Sequence, residues 1–312
     1  MAATESIDPL SVSNPATCEV MTLRQLRGAG FSARRTSRLC RPDGPWRRLH
    51  PGVVLLGTTE PDRRQRLHAA IGRFGPGAVI TASDALRAHG LKCEPTPSVR
   101  LLVPQDCRRM PGEGLEYNRT SRLPEPVLVD GLPFAPPVRA ALDLARLRQD
   151  PAEIRAALTL PLYWGLCDRA DLEAELAAGN QRGSAAVRAA LCGLYDHEIL
   201  ANGLAVRVLR ATPLPPPSWN VVVCDRRGRP IGGADAWWDE LGLAWQFRNI
   251  APTAGFSHLA LTATGIVLVR CTVAQLRTAP HEVARELHRA YIQAARTPRP
   301  KVRALRSFGE AA

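Results

Sequence analysis

Ala234-Asp-Ala-Trp-Trp238, then Asp239-Glu-Leu-Gly242, then Leu243-Ala-Trp-Gln-Phe-Arg248: this stretch decides how the C-terminal half of the chain is read. Two runs rich in aromatic and apolar residues flank a short polar break that ends in glycine. That pattern predicts two neighbouring strands, 231–238 and 243–248, joined by a turn at 239–242. Consecutive strand residues point to opposite faces, so one of Trp237 and Trp238 packs in the core and the other against a helix. Asp239 and Glu240 fall in the turn and read as a solvated loop. Arg248 is a fixed cation, unable to act as a base near neutral pH, and it is placed to pair with Asp235 on the adjacent strand.

Working outward, 219–224 reads as a strand and Asp225-Arg-Arg-Gly-Arg229 as a turn. Beyond 248, residues 256–264 predict a helix, 265–271 a buried strand and 280–296 an amphipathic helix. With a helix at 183–195, the order is α-βββ-αβ-α. Pro213-Leu-Pro-Pro-Pro217 is a stiff connector ahead of it.

The chain has 312 residues, enough for two or three domains. With 45% hydrophobic and 22% charged residues it falls in the ordinary soluble range, and no apolar run approaches a membrane span. The first 18 residues lack the basic start and apolar centre of a signal peptide, so a cytoplasmic protein with no membrane partner is expected. Net charge is +12, and all but Lys92 and Lys301 of the 41 basic residues are arginine. Composition bias toward Ala, Gly, Pro and Arg accounts for arginine over lysine. It does not account for basic over acidic, which favours a polyanionic partner. Cysteines 18, 40, 93, 107, 167, 192, 224 and 271 show no CxxC spacing, so they read as small buried apolar residues and not as a zinc site.

The N-terminal half starts with an aperiodic polar stretch, 1–20, expected to be disordered; Met1 and Met21 are both candidate starts. Leu23 and Leu26 have helical spacing, Gly28-Ala-Gly30 breaks it, and Ser32 can cap a second helix over 33–40. Residues 46–57 read as a hairpin turning at Pro51-Gly52. Helix, tight turn, helix and hairpin follow one another as in a winged helix-turn-helix. Further helices are expected at 61–74, 82–89, 136–145, 151–158 and 169–178, and strands at 98–104 and 115–119.

Between Arg24 and Arg73 the chain carries 12 arginines against three acids, Asp43, Glu60 and Asp62. Arg34, Arg38 and Arg41 are spaced i, i+4, i+7, which on one helix is one face. Such a face suits a recognition helix, because arginine pairs with guanine edges and phosphates in the major groove. Arg35 lies on the same helix, and Arg47 and Arg48 sit where a wing would touch phosphate or the minor groove. Trp46 and Leu49 would anchor the wing, and His50 reads as a residue of its turn. The expected partner is double-stranded DNA.

These residues also carry a family resemblance. Trp46-Arg-Arg-Leu-His-Pro-Gly-Val53 resembles the wing of the AbiEi-type antitoxin and transcriptional-regulator proteins of actinobacteria, and Thr81-Ala-Ser-Asp-Ala-Leu-Arg-Ala-His-Gly-Leu91 is similar to the segment that follows it there. Ala234–Trp238 with Leu243–Trp245 is similar to a C-terminal domain often fused to them, akin to very-short-patch-repair endonucleases and hence to the PD-(D/E)XK core. The resemblance covers most of 22–296. It implies an α+β chain: a winged helix-turn-helix head at 21–75, an α/β middle domain of AbiEi type at 76–180, and a restriction-endonuclease-like αβββαβ core at 181–297. A basic tail, 298–312, follows and is expected to be loose. It also implies an antitoxin that acts as a regulator and opposes a nucleotidyltransferase-like toxin; a homodimer is a further possible partner.

The resemblance also exposes what is missing. The family often reads Ala-Trp-Glu-Ile-Asp where this chain has Ala244-Trp-Gln246-Phe-Arg248, and it often has an acid on the preceding helix where this chain has Ala201-Asn-Gly-Leu-Ala205. A divalent cation needs clustered carboxylates, and of the three degenerate positions only Asp235 is an acid. The expectation is therefore a DNA-binding regulator with an inactive nuclease-like domain, no catalytic residues and no cofactor. The rival from the enzyme class is a Mg2+-dependent DNA endonuclease targeted by the head, with Glu198 or Glu240 swinging in and His258 as a leftover site residue. A third reading is a toxin-binding protein with weak DNA affinity.

Overall fold

The computed structural model describes residues 18–179, 183–194, 197–248 and 258–306. The chain is mixed α/β with three sheets and divides into two compact units, residues 1–161 with 167–194 and residues 162–166 with 195–312.

The first unit opens with β1 (Val20–Thr22), α1 (Leu23–Gly28), α2 (Ala33–Leu39), β2 (Arg47–His50), β3 (Val53–Leu55) and α3 (Arg63–Phe74). The strands form a small antiparallel sheet in the order β1-β3-β2. Residues 1–17 lie outside the described residues; the expectation of disorder to residue 20 is corrected at its end, because Val20 is buried and pairs with Leu55. The helices start where local chemistry supplies a cap. Thr22 and Gln25 form a capping box on α1, Ser32 Oγ accepts from Arg35 N at 3.2 Å on α2, and Asp62 with Gln65 boxes α3. Leu26, Phe31, Trp46 and Val54 close a core under α1 and α2, while Val20, Val53, Leu55 and Ala69 join β1 and β3 to α3.

There follow β4 (Val79–Ile80), α4 (Ala82–Ala88), β5 (Val99–Pro104), β6 (Leu115–Thr120), β7 (Val127–Val129), β8 (Leu132–Phe134), α5 (Pro137–Ala145), α6 (Pro151–Tyr163), α7 (Arg169–Ala178) and α8 (Ala185–Cys192). The sheet order is β6-β5-β4-β8-β7, with β5–β6 and β4–β8 parallel. Two buried carboxylates fasten it. Asp143 accepts from Thr81 Oγ1 at 2.8 Å and from Arg139 and Arg146, and Asp84 is held bidentately by Arg63 at 2.8 and 2.6 Å. The Arg63–Asp84 pair joins α3 to α4.

The second unit contains α9 (His197–Arg210), β9 (Ser218–Cys224), β10 (Pro230–Trp238), β11 (Leu243–Gln246), α10 (His258–Ala263), β12 (Val267–Arg270), α11 (Val273–Thr278), α12 (Pro280–Ala295) and β13 (Arg303–Arg306). One sheet runs β12-β11-β10-β9-β13, with only β11–β12 parallel. Trp238, Trp245 and Leu243 face α9 and α12, whose Val283, Leu287, Ala290 and Ala294 recur at helical spacing. Trp237 and Ala244 face the other way, against Leu261 of α10, Ile266 and Val302. The alternation expected of Trp237 and Trp238 is therefore present. The expectation of a loose tail from 298 is corrected over Arg303–Arg306, which pairs antiparallel with β9 and sends Val302 into the core. Among the described residues no helix is long and apolar enough to cross a membrane.

Candidate functional sites

The first site is the outer side of α2 and its hairpin. Thr36 is the buried residue of α2, so Arg34, Ser37 and Arg38 face solvent. Arg34 and Arg38 have no acidic partner among the described residues. Arg35 behaves differently: its guanidinium lies over the Phe31 ring, 4.6 Å from the centroid, which packs it on the core aromatic. Arg41 does not complete the helical face as its spacing predicts. The helix ends at Leu39 with Cys40 as C-cap, and Arg41 lies in the exposed loop leading to Gly44. A Cβ on Gly44 would sit 2.2 Å from Leu39 O, so the loop folds tightly under the helix end.

Behind the hairpin, Trp46 is buried and stacks against Phe31 at 5.2 Å. The turn uses Gly52 at φ 87°, a conformation that favours glycine. Arg48 donates to Ser37 Oγ at 3.2 Å and so bridges β2 and α2. Arg47 instead pairs with Glu60 at 2.5 Å, both side chains being largely exposed. An exposed pair of this kind is worth at most about 1 kcal/mol, so Arg47 is exchangeable toward a stronger anion. His50 is partly buried against Gly112, and burial, then the nearby Arg73 charge, push its pKa below the ordinary histidine value.

The second site surrounds Asp235, fully buried on β10. The β10–β11 register, Ala236 opposite Trp245, puts Gln246 across from it. Its Oδ2 accepts from the backbone N–H groups of Phe247 at 2.7 Å and Arg248 at 2.9 Å, and its Oδ1 accepts from Arg248 Nε at 2.6 Å. The guanidinium also donates to Asn220 Oδ1, and Asn220 Nδ2 donates to Tyr163 Oη at 2.7 Å. Asn220 takes φ 52°, a left-handed conformation that asparagine tolerates better than most residues. Gln246 Nε2 is committed to Gly233 O at 2.6 Å, and its Oε1 is buried without a partner. The pairing expected between Arg248 and Asp235 is thus formed, with two backbone donors in addition.

These residues do not fit a divalent cation. The one acid of the three positions has its oxygens engaged by an arginine and two amides, and the other two positions are a neutral amide and a fixed cation. Among the described residues no group of three His, Cys, Asp or Glu could hold a metal. Asp239 and Glu240 are exposed in the turn, where Asp239 accepts from the Trp237 indole and from Arg299, both at 3.0 Å. The side chains of Glu198 and His258 lie outside the described residues, as does the segment 249–257.

The cysteine reading needs correction: Cys167 and Cys224 are buried, Cys192 is exposed and the rest are half-buried. The role of Asn220 in the Asp235 network is invisible in sequence, because it depends on β9 lying beside β10.

No family model matches the chain, and no curated protein matches it. Among solved structures, the chain is similar to the crystal structure of the RV2827C protein from Mycobacterium tuberculosis. Identity is 18% and the TM-score 0.40, over 82% of this chain and 88% of that one. A likeness of that degree carries no argument about function.

Proposed function

We propose that the chain is a DNA-binding transcriptional regulator of AbiEi antitoxin type, in which a winged helix-turn-helix head carries the DNA contact and a nuclease-like C-terminal fold carries no metal chemistry. The observation that supports the head is the side-chain pattern of α2. A helix capped by Ser32 and fixed by Phe31 and Trp46 exposes Arg34 and Arg38 without acidic partners among the described residues, and Arg48 of the hairpin reaches the same helix. Arginines so placed can meet phosphates and guanine edges, with Arg47 of the wing released from Glu60 to join them. The observation that supports an inert C-terminal fold is Arg248 on Asp235. The endonuclease reading would require that pair to open and other carboxylates to converge. A nucleotidyltransferase-like toxin partner follows from the family resemblance alone.

The test is binding of the full chain to its own upstream DNA and to random duplex, at two salt concentrations, with and without Mg2+, with cleavage followed on a gel. Selective, uncut binding that Arg34→Ala/Arg38→Ala abolishes is the expected result. Mg2+-dependent cutting would overturn the inert fold. Binding no better than random would overturn the regulator and shift the weight to a protein partner.

A further inference from the structure

The second unit has a basic corner of its own. The β9–β10 turn is Asp225-Arg-Arg-Gly-Arg229, and β13 places Arg303 opposite Cys224, the last residue before that turn. Lys301 precedes Arg303 by two residues. Arg226, Arg227, Arg229, Lys301 and Arg303 are all exposed. The local acid, Asp225, is already spent. Its Oδ1 accepts from the backbone N–H of Arg227 at 2.8 Å and of Arg229 at 2.9 Å, and its Oδ2 from Arg229 Nε at 2.9 Å. Those bonds hold its carboxyl below the usual range, the Arg229 backbone contact contributing most, so the acid is ionised and neutralised by Arg229 alone. Arg226, Arg227, Lys301 and Arg303 have no acidic partner among the described residues. One carboxylate thus organises the turn, and the turn's Arg226 and Arg227 together with Lys301 and Arg303 make four cations without an acidic partner among the described residues.

Protection of an exposed sheet edge accounts for one cation on β13. It does not account for the arginines on the adjoining turn, which lie off the edge. A membrane surface would call for several apolar anchors beside the charges; the turn has none, and Leu305 on β13 is a single exposed one. Guanidinium forks match phosphate oxygens, and a short turn can present adjacent forks to successive phosphates of one strand.

We infer that this corner is a second nucleic-acid contact, binding the phosphate backbone of duplex DNA without reading its sequence. It does not depend on the reading of α2. On the same chain as any other DNA contact, it raises the effective concentration of the second binding event and strengthens the whole without adding specificity.

The full chain would be titrated with a short random-sequence duplex across about 50 to 200 mM salt. Loss of each phosphate contact flattens the slope of log affinity against log salt by about 0.9, so Arg226→Ala/Arg227→Ala/Arg303→Ala is expected to flatten it by about 2 to 3. Arg34→Ala/Arg38→Ala, tested alone and combined with this triple variant, separates the two surfaces. If the head variant alone changes nothing while the triple variant flattens the slope, the head reading fails and the corner stands. If the slope is unchanged by the triple variant, the corner is not a contact. A control variant, Arg285→Ala/Arg289→Ala/Arg296→Ala, removes the same charge from exposed positions of α12 and its C-cap. Equal flattening by that control would reduce the effect to net charge and overturn the proposal. So would tighter binding to vesicles of anionic lipid than to duplex, lost in the triple variant.

Discussion

Arg248→Ala tests the Asp235 site most directly. The substitution leaves a carboxylate with no solvent exposure facing the space vacated by its cation, with two backbone N–H donors still in place. Removing one partner of a buried pair costs about 3–5 kcal/mol, because the other charge is left uncompensated. Arg248 keeps 20% side-chain exposure and the amide donors remain, which places the expected loss near the lower end, about 3 kcal/mol. With a urea slope of about 1–3 kcal/mol per molar, the midpoint should fall by about 1 to 3 M. Tryptophan fluorescence is the natural probe, since Trp164, Trp219, Trp237, Trp238 and Trp245 all lie in the second unit and only Trp46 in the first. Adding Asp235→Asn to Arg248→Ala removes the stranded charge, while the amide oxygen still accepts from the backbone. The double variant should therefore be more stable than Arg248→Ala alone, with a coupling of about 1–3 kcal/mol between the sites. An unfolding free energy for Arg248→Ala within about 0.5 kcal/mol of the parent would refute the reasoning, and so would simple additivity of the two substitutions.

Two further outcomes follow from the titratable groups. Burial is the main cause holding His50 and His68 below the ordinary histidine value of 6.5, and His50 Nδ1 and His68 Nε2 are buried without a hydrogen bond. Their neutral forms favour the folded state, so the unfolded chain takes up more protons as pH falls below 6.5; stability is full above that value and declines beneath it. Urea midpoints at neutral and mildly acidic pH should differ less in His50→Gln/His68→Gln than in the parent; an equal difference would remove both histidines from the account. Among the thiols, burial raises Cys271 to about 11 even though the Trp245 indole donates to it, whereas Cys192 is exposed. Alkylation in mild base followed by peptide mapping should label Cys192 well before Cys271; the reverse order would contradict the packing around Trp245.

The elements legible in sequence were those whose signal is local. The cap at Ser32, the glycine breaks at 28–30 and 242, and the aromatic alternation at 237–238 each act within a few residues. The β7–β8 hairpin had such a signal and went unread: Asp130-Gly131 between apolar runs, with φ 50° and 78°, is the pattern of a two-residue primed turn. Pro126 and Pro133 obscure it by making the flanking runs look irregular. α9 is implied only by the resemblance, at 201–205, because Gly203 interrupts its local helical pattern. The glycine is there because its Cα faces the chain at Leu162 and Gly165; a Cβ would sit 2.3 Å from Leu162 O. β13 has no local signal at all. Four residues of a basic tail become a strand because Val302 and Ala304 find the hydrophobic cluster beside β9.

The arginine face failed at Arg41 for a reason of the same kind. An i, i+4, i+7 spacing defines a face only while the helix lasts, and Pro42 biases the preceding residue away from helical backbone. Asp235 is the converse case, where a pairing guessed from sequence had a structural consequence larger than the guess. A buried carboxylate must be compensated by something, and here Arg248 and two backbone amides supply the compensation. An acid at either 246 or 248 would instead put two carboxylates in one dry site. Arg248 neutralises Asp235, Gln246 lies across from it as a neutral amide bonded to Gly233, and Asn220 fixes the guanidinium from β9. Gln246→Glu alone should therefore destabilise the second unit, as a lower urea midpoint, by placing a second carboxylate beside Asp235 with one cation for both.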